Sequence, residues 1–114
     1  MPNQRMRQIN SALRDYFATA LMRLVELPAG VVVSVTRAQT TSDLHNCTIF
    51  LSVVPDDKTG TTLQLIRQHS ADIIAEVADR ITFRSVPKFR FVVDDTERKA
   101  ASIDRLLDIV KQSE

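Results

Sequence analysis

Residues 61–93 read TTLQLIRQHSADIIAEVADRITFRSVPKFRFVV, and the order of patterns in this stretch decides the fold. Leu63, Ile66, Ile73, Ile74, Val77 and Ile81 recur at helical spacing and predict a helical segment over 61–82. The stripe is interrupted at His69-Ser70-Ala71, where small and polar residues mark a kink or a join between two helices. Pro87 then opens a strand over 88–93, with Phe89, Phe91 and Val93 on one face and Lys88, Arg90 and Val92 on the other.

Working outward, residues 31–39 and 46–54 are two further strands. Val31, Val33 and Val35 alternate with Val32, Ser34 and Thr36, and Cys47, Ile49, Leu51 and Val53 share one face. The short polar stretch 40–43 between them predicts an antiparallel hairpin, and residues 55–60 form a turn by composition. Upstream, Met6, Ile9, Leu13, Phe17, Leu21 and Leu24 make the apolar stripe of one helix over 3–26, stopped by Leu27-Pro28-Ala29-Gly30. Downstream, Asp94-Asp95-Thr96 ends the third strand, and Ile103, Leu106, Leu107 and Val110 predict a last helix over 100–111. The order is helix, strand, strand, broken helix, strand, helix: an α+β sandwich with a three-stranded sheet covered by helices. Periodicity leaves open whether the third strand returns parallel or antiparallel.

A chain of 114 residues holds one domain, 1–114, and buries roughly 65% of its unfolded surface, enough for a core without metal or disulfide staples. Apolar residues are 44% and charged residues 25%, an ordinary globular balance, and the net charge of +1 favours no class of partner. One cysteine and a first segment without an apolar signal core predict a cytoplasmic protein, and no apolar run is long enough to span a bilayer. The two glycines, Gly30 and Gly60, exclude a P-loop, a dinucleotide fingerprint and the GXXG loop of an ordinary KH domain. The glycine-containing signature of an RRM is absent too, although Lys88-Phe89-Arg90-Phe91-Val92 has a superficial likeness to it.

The arginine-bearing first helix, Ser42-Asp43-Leu44 before the second strand, Arg84-Ser85-Val86-Pro87-Lys88-Phe89-Arg90-Phe91 followed by Asp94 or Asp95, and the closing Ile103-x-x-Leu106-Leu107 together resemble bacterial ribosome-binding factor A. The resemblance runs over about residues 5–107. It implies a type II KH-like fold, α-β-β-α-α-β plus a C-terminal helix, in which a kink between two helices replaces the GXXG loop. It also implies a non-enzymatic factor without cofactor that binds the free or immature small (30S) ribosomal subunit. There it would assist late maturation and processing of 16S rRNA and support growth in the cold. Its partners would be the small subunit and 16S rRNA, with no membrane and no small-molecule substrate, and the protein would act as a monomer. The family carries glycine at the kink where this chain has Ala71 in His69-Ser70-Ala71, which predicts a shallower kink here.

Local charge supports contact with RNA. Residues 1–37 hold five arginines against Asp15 and Glu26, and residues 80–90 hold Arg80, Arg84, Lys88 and Arg90 with no acid. Joined on one electropositive side, these stretches would track phosphates, with Arg84, Lys88 and Arg90 ahead of Arg80, Arg5, Arg7 and Arg14. The plainer reading is that these charges only solvate outer faces of a KH-like protein-interaction module that binds no RNA. His45 and Cys47 would share a strand face but are too few for a zinc site, so no metal is expected. Ser42 and Asp43 read as turn residues rather than part of a triad with His45. Phe17, Phe50, Phe83, Phe89 and Phe91 read as core side chains rather than base-stacking platforms.

Overall fold

A computed structural model of the chain describes residues 3–82 and 85–94. Within them the order is α1 (Gln4–Leu24), β1 (Val32–Thr40), β2 (Asn46–Val54), α2 (Thr59–Gln68), α3 (Ser70–Ala78) and β3 (Lys88–Val93). This is the α+β, KH-like order α-β-β-α-α-β. The helix expected over 100–111 lies outside the described residues, as do Phe83 and Arg84.

Asn3 starts α1 because its side-chain oxygen accepts the Met6 N–H at 2.9 Å, satisfying one of the helix's orphan donors. Val25 is already extended, and the turn that follows closes with Val31 N–H donating to Pro28 O at 3.1 Å. Gly30, with φ +82, occupies the third position of that turn, where a left-handed residue is required. The α2 helix begins two residues earlier than its apolar stripe predicts, because a 3-10 turn over Asp56–Lys58 leads straight into it.

The sheet order is β1-β2-β3. β1 and β2 form the expected antiparallel hairpin, and β3 runs parallel to β2, with Asn46 opposite Lys88 and Leu51 opposite Val93. The α2–α3 crossover thus settles the direction that periodicity leaves open. β2, flanked on both sides, buries Cys47, Ile49, Leu51 and Val53 toward the helices. Ile9, Leu13, Phe17 and Leu21 of α1, Ile66 of α2, and Ile73 and Val77 of α3 complete the core with Phe91. Phe17 sits at its centre, with edge-on ring contacts to Phe89 at 4.8 Å and Phe91 at 5.7 Å. Those contacts keep both strand phenylalanines inward and exclude RRM-like stacking on them.

The hairpin loop shows what Ser42-Asp43-Leu44 does. Asp43 Oδ1 accepts from the Thr41 hydroxyl at 2.6 Å and from His45 N–H at 3.0 Å. These bonds, the Thr41 hydroxyl first, hold the Asp43 carboxyl below its ordinary value of 3.8. Leu44 takes φ 63 and packs its side chain against the core, so apolar contact offsets the left-handed backbone. A carboxyl with a depressed folded pKa adds stability that is full above its unfolded value and lost as pH falls through the folded one. Asp43→Asn is therefore expected to lower the urea unfolding midpoint at pH 7, and the gap from wild type is expected to narrow below pH 3.8. A gap independent of pH would show that the carboxylate charge contributes nothing.

Candidate nucleic-acid interface

On α1, Arg5, Ala12, Tyr16 and Arg23 fall at spacings of seven, four and seven residues, which places them within about 40° of arc on one flank. α3 packs on that flank, where Arg23 Nη1 donates to Glu76 Oε1. The chain then leaves α3 through a tight turn, with Arg80 N–H donating to Val77 O at 3.0 Å and Ile81 N–H to Ala78 O at 3.1 Å. That turn returns Arg80 and Thr82 to the N-terminal half of α1. Arg5, Gln8, Tyr16, Arg80 and Thr82 line a cleft of about 170 Å³ there, with Ile9 and Ala12 in its wall. Two guanidiniums, a phenol and a hydroxyl, with no carboxylate among the lining residues, suit an anion such as a phosphodiester.

Two of the expected arginines stand apart from the cleft. Arg7 lies about 200° round the helix from Arg5. Arg14 Nε donates to Asp15 Oδ1 at 3.3 Å on the exposed surface, a weak pair that solvent screens.

Lys88 and Arg90 occupy the other side of the molecule. With Phe89 and Phe91 turned inward, the strand period carries 88 and 90 to the outer face of the sheet, away from all three helices. Lys88 lines a polar depression of about 380 Å³ with His45, Asn46, Ser85 and Val86, and Arg90 Nε donates to Thr48 Oγ1 at 3.3 Å. The two basic stretches expected on one electropositive side are thus divided between the helix layer and the outer sheet face.

His69 alone makes the kink, at φ −99 and ψ 6, with its Nδ1 3.0 Å from Leu65 O. Neither it, Ser70 nor Ala71 has a positive φ, so the two helices join here without the left-handed backbone that favours glycine. Residues 69–71 carry no Lys or Arg, and the neighbouring Arg67 turns its Nη2 to Phe91 O at 3.4 Å.

Two expectations are corrected. Phe50 is not a core residue: it faces outward from β2, and the Arg37 guanidinium lies 3.8 Å from its ring centroid. The alternation of Val33 and Val35 would carry residue 37 into the core, but a β-bulge between Val35 and Arg37 shifts the register and turns Arg37 outward opposite Phe50. Arg37 Nε also lies 3.7 Å from Asp94 Oδ2, which accepts from the Thr36 hydroxyl at 2.8 Å. Residue pattern carries no signal for that bulge, and this is why Arg37 escapes a reading of the sequence. His45 and Cys47 do not share a face: Cys47 is buried, which pushes its thiol up, whereas His45 is exposed beside Asp43. Among the described residues, no group of three His, Cys, Asp or Glu is placed to hold a metal ion, and no helix is long and apolar enough to cross a membrane.

Residues 5–107 match the family model described as ribosome-binding factor A. The chain is 31% identical over 109 residues to the ribosome-binding factor A of Azorhizobium caulinodans, covering 93% of this chain and 75% of that protein. Its fold superposes on the crystal structure of ribosome-binding factor A from Thermus thermophilus with a TM-score of 0.66 at 14% identity, over 77% of this chain and 94% of that one. It also superposes on a homology model of the Thermus thermophilus factor fitted into the cryo-EM map of a complex with the 30S subunit. That match has a TM-score of 0.61 at 15% identity, over 75% of this chain and 91% of the other.

Proposed function

This chain belongs to the ribosome-binding factor A family, and we propose that it binds the free or immature small ribosomal subunit and assists late maturation of 16S rRNA. Family membership over almost the whole chain carries the reading. The 30S complex of a relative with the same fold supports the choice of particle. The Arg5–Arg80 cleft supplies a means, since two forked cations converging on one cleft fit a backbone phosphate. Arg84, Lys88 and Arg90 provide further phosphate contacts, and Arg7 and Arg14 add long-range attraction. Residues 1–114 act as one KH-like domain, monomeric and cytoplasmic, that binds and reshapes RNA without catalysing a reaction or holding a cofactor, and that supports growth in the cold. The kink at His69-Ser70-Ala71 has a structural part here, joining two helices rather than clamping a backbone.

Co-sedimentation of the protein with isolated small and large subunits across a salt series tests this. The expected result is binding to the small subunit alone, weakening about 100-fold from 0.05 to 0.2 M salt if some four phosphates are contacted. No binding to either subunit at low salt overturns the reading. One observation favours a protein partner instead: an apolar cleft of about 280 Å³ between α1 and β1, lined by Leu21, Met22, Val25 and Val33, with Met22 85% exposed. Binding through that cleft would persist at high salt.

A further inference from the structure

We propose that the outer face of the sheet is a second RNA-binding surface, one that takes an unpaired segment, with a base stacked on the Arg37 guanidinium and adjoining phosphates on Arg90 and Lys88. It rests on the reading that this protein contacts ribosomal RNA, and it assigns to that contact a face, a strand state and a stacking residue.

The charge of the sheet is one-sided. β1, β2 and β3 together contain Arg37, Lys88 and Arg90, all exposed on the outer face, and no acidic residue; Asp94, one residue past β3, lies beside Arg37, so Lys88 and Arg90 carry the excess positive charge. Between them the registered rows place neutral hydrogen-bonding side chains: Gln39, Thr48 and Arg90 lie across one row, and Asn46 lies beside Lys88 in the next. Lys88 and Arg90 are two residues apart on one strand, about 6.7 Å, a distance that adjacent phosphates of an extended strand can follow. The cations occupy three successive outward rows, Lys88 and Arg90 on β3 and Arg37 on β1, with the neutral side chains Asn46, Thr48 and Phe50 of β2 between the two edge strands. Complementarity therefore selects a polyanion.

Arg37 gives the surface its preference for unpaired bases. One side of its guanidinium rests on the Phe50 ring, and its Nε edge faces Asp94, itself held by Thr36. The side chain nevertheless remains 53% exposed with both contacts made, so the guanidinium is accessible to a ligand. Arginine planes are stacking partners for splayed-out RNA bases, and a base inside a duplex cannot offer its face. Because ring and carboxylate already restrain the guanidinium, stacking removes little further rotamer freedom. The bulge at Val35/Arg37 is what places the side chain there, and bulges commonly re-aim side chains at functional sites.

Fluorescence anisotropy on the full chain tests this, with a labelled mixed-sequence ten-nucleotide RNA as a single strand and again as a duplex. Arg37→Lys keeps the charge and removes the plane. It is expected to weaken single-strand binding about tenfold, to change duplex binding less than twofold, and to leave the salt slope unaltered. Lys88→Gln and Arg90→Gln, at exposed positions, are expected each to lower the salt slope for the single strand by about 0.7. Unfolding midpoints of all three variants are measured alongside.

Unchanged single-strand affinity in a folded Arg37→Lys variant overturns the proposal, and so do equal losses on single strand and duplex. Absence of single-strand binding by the wild type, as expected if a protein occupies the face, overturns it as well. Small-subunit co-sedimentation of the wild type keeps the two readings separable. A protein that binds the subunit but whose single-strand affinity ignores Arg37 loses only the sheet-face assignment. Failure to bind either subunit overturns the family-based reading, while the oligonucleotide still reports on the sheet.

Discussion

Phe17→Ala is expected to destabilise the protein by about 4 kcal/mol, the loss typical of a fully buried aromatic ring that leaves a cavity behind. Phe17 is 0% exposed and contacts Phe89 and Phe91 edge-on, so its removal takes the α1 anchor and the inner face of β3 together. A protein of this size holds about 5–15 kcal/mol in all, and the substitution should lower Tm by about 20 °C. Phe17→Leu, which keeps much of the volume, should cost roughly 1–2 kcal/mol. A loss below about 1 kcal/mol for Phe17→Ala in urea unfolding would show that α1 does not hold β3 through this ring. Because β3 carries Lys88 and Arg90 on its opposite face, the same contact orients the outer cations.

Arg5→Glu/Arg80→Glu is expected to weaken small-subunit binding by at least about 100-fold at ~0.1 M salt, a loss of about 2.7 kcal/mol or more. Each charge-assisted contact to phosphate contributes roughly 1.5–3 kcal/mol, and reversal adds repulsion. If both guanidiniums hold one phosphate, Arg5→Ala and Arg80→Ala will be non-additive, each single change losing most of what the pair loses. Arg14→Glu, at an exposed position apart from the cleft where only screened long-range attraction is lost, should change affinity by no more than about threefold. These losses are read by co-sedimentation, with circular dichroism as the check on helix content. Less than a threefold loss for the double reversal would remove the cleft from the interface.

The candidate site was legible only in part. Local charge excess picks out Arg5, Arg80, Lys88 and Arg90 because clusters of cations without acids are visible along the chain. Their division between two layers is not visible, since it depends on which strand face the core claims. Phe50 reads as core by composition, yet β2 buries only every second residue, and 50 belongs to the outward set. Arg37 is missed for a different reason: a single bulged residue inverts the alternation that otherwise assigns its face.

Element type and order follow from the residues themselves, because apolar period is a local property. The α1 stripe from Ile9 to Leu21, the alternation of β2 and the six-residue span of β3 all match what their spacing dictates. The break at His69 is also written locally, in the loss of apolar residues between Ile66 and Ile73. Tertiary structure alone decided that β3 runs parallel beside β2, that the turn after α3 returns Arg80 to Arg5, and that the Arg37 guanidinium lies over the Phe50 ring. Those three facts depend on contacts between residues 13 to 75 positions apart. Such contacts are fixed by how the layers pack, and short-range periodicity carries no term for them.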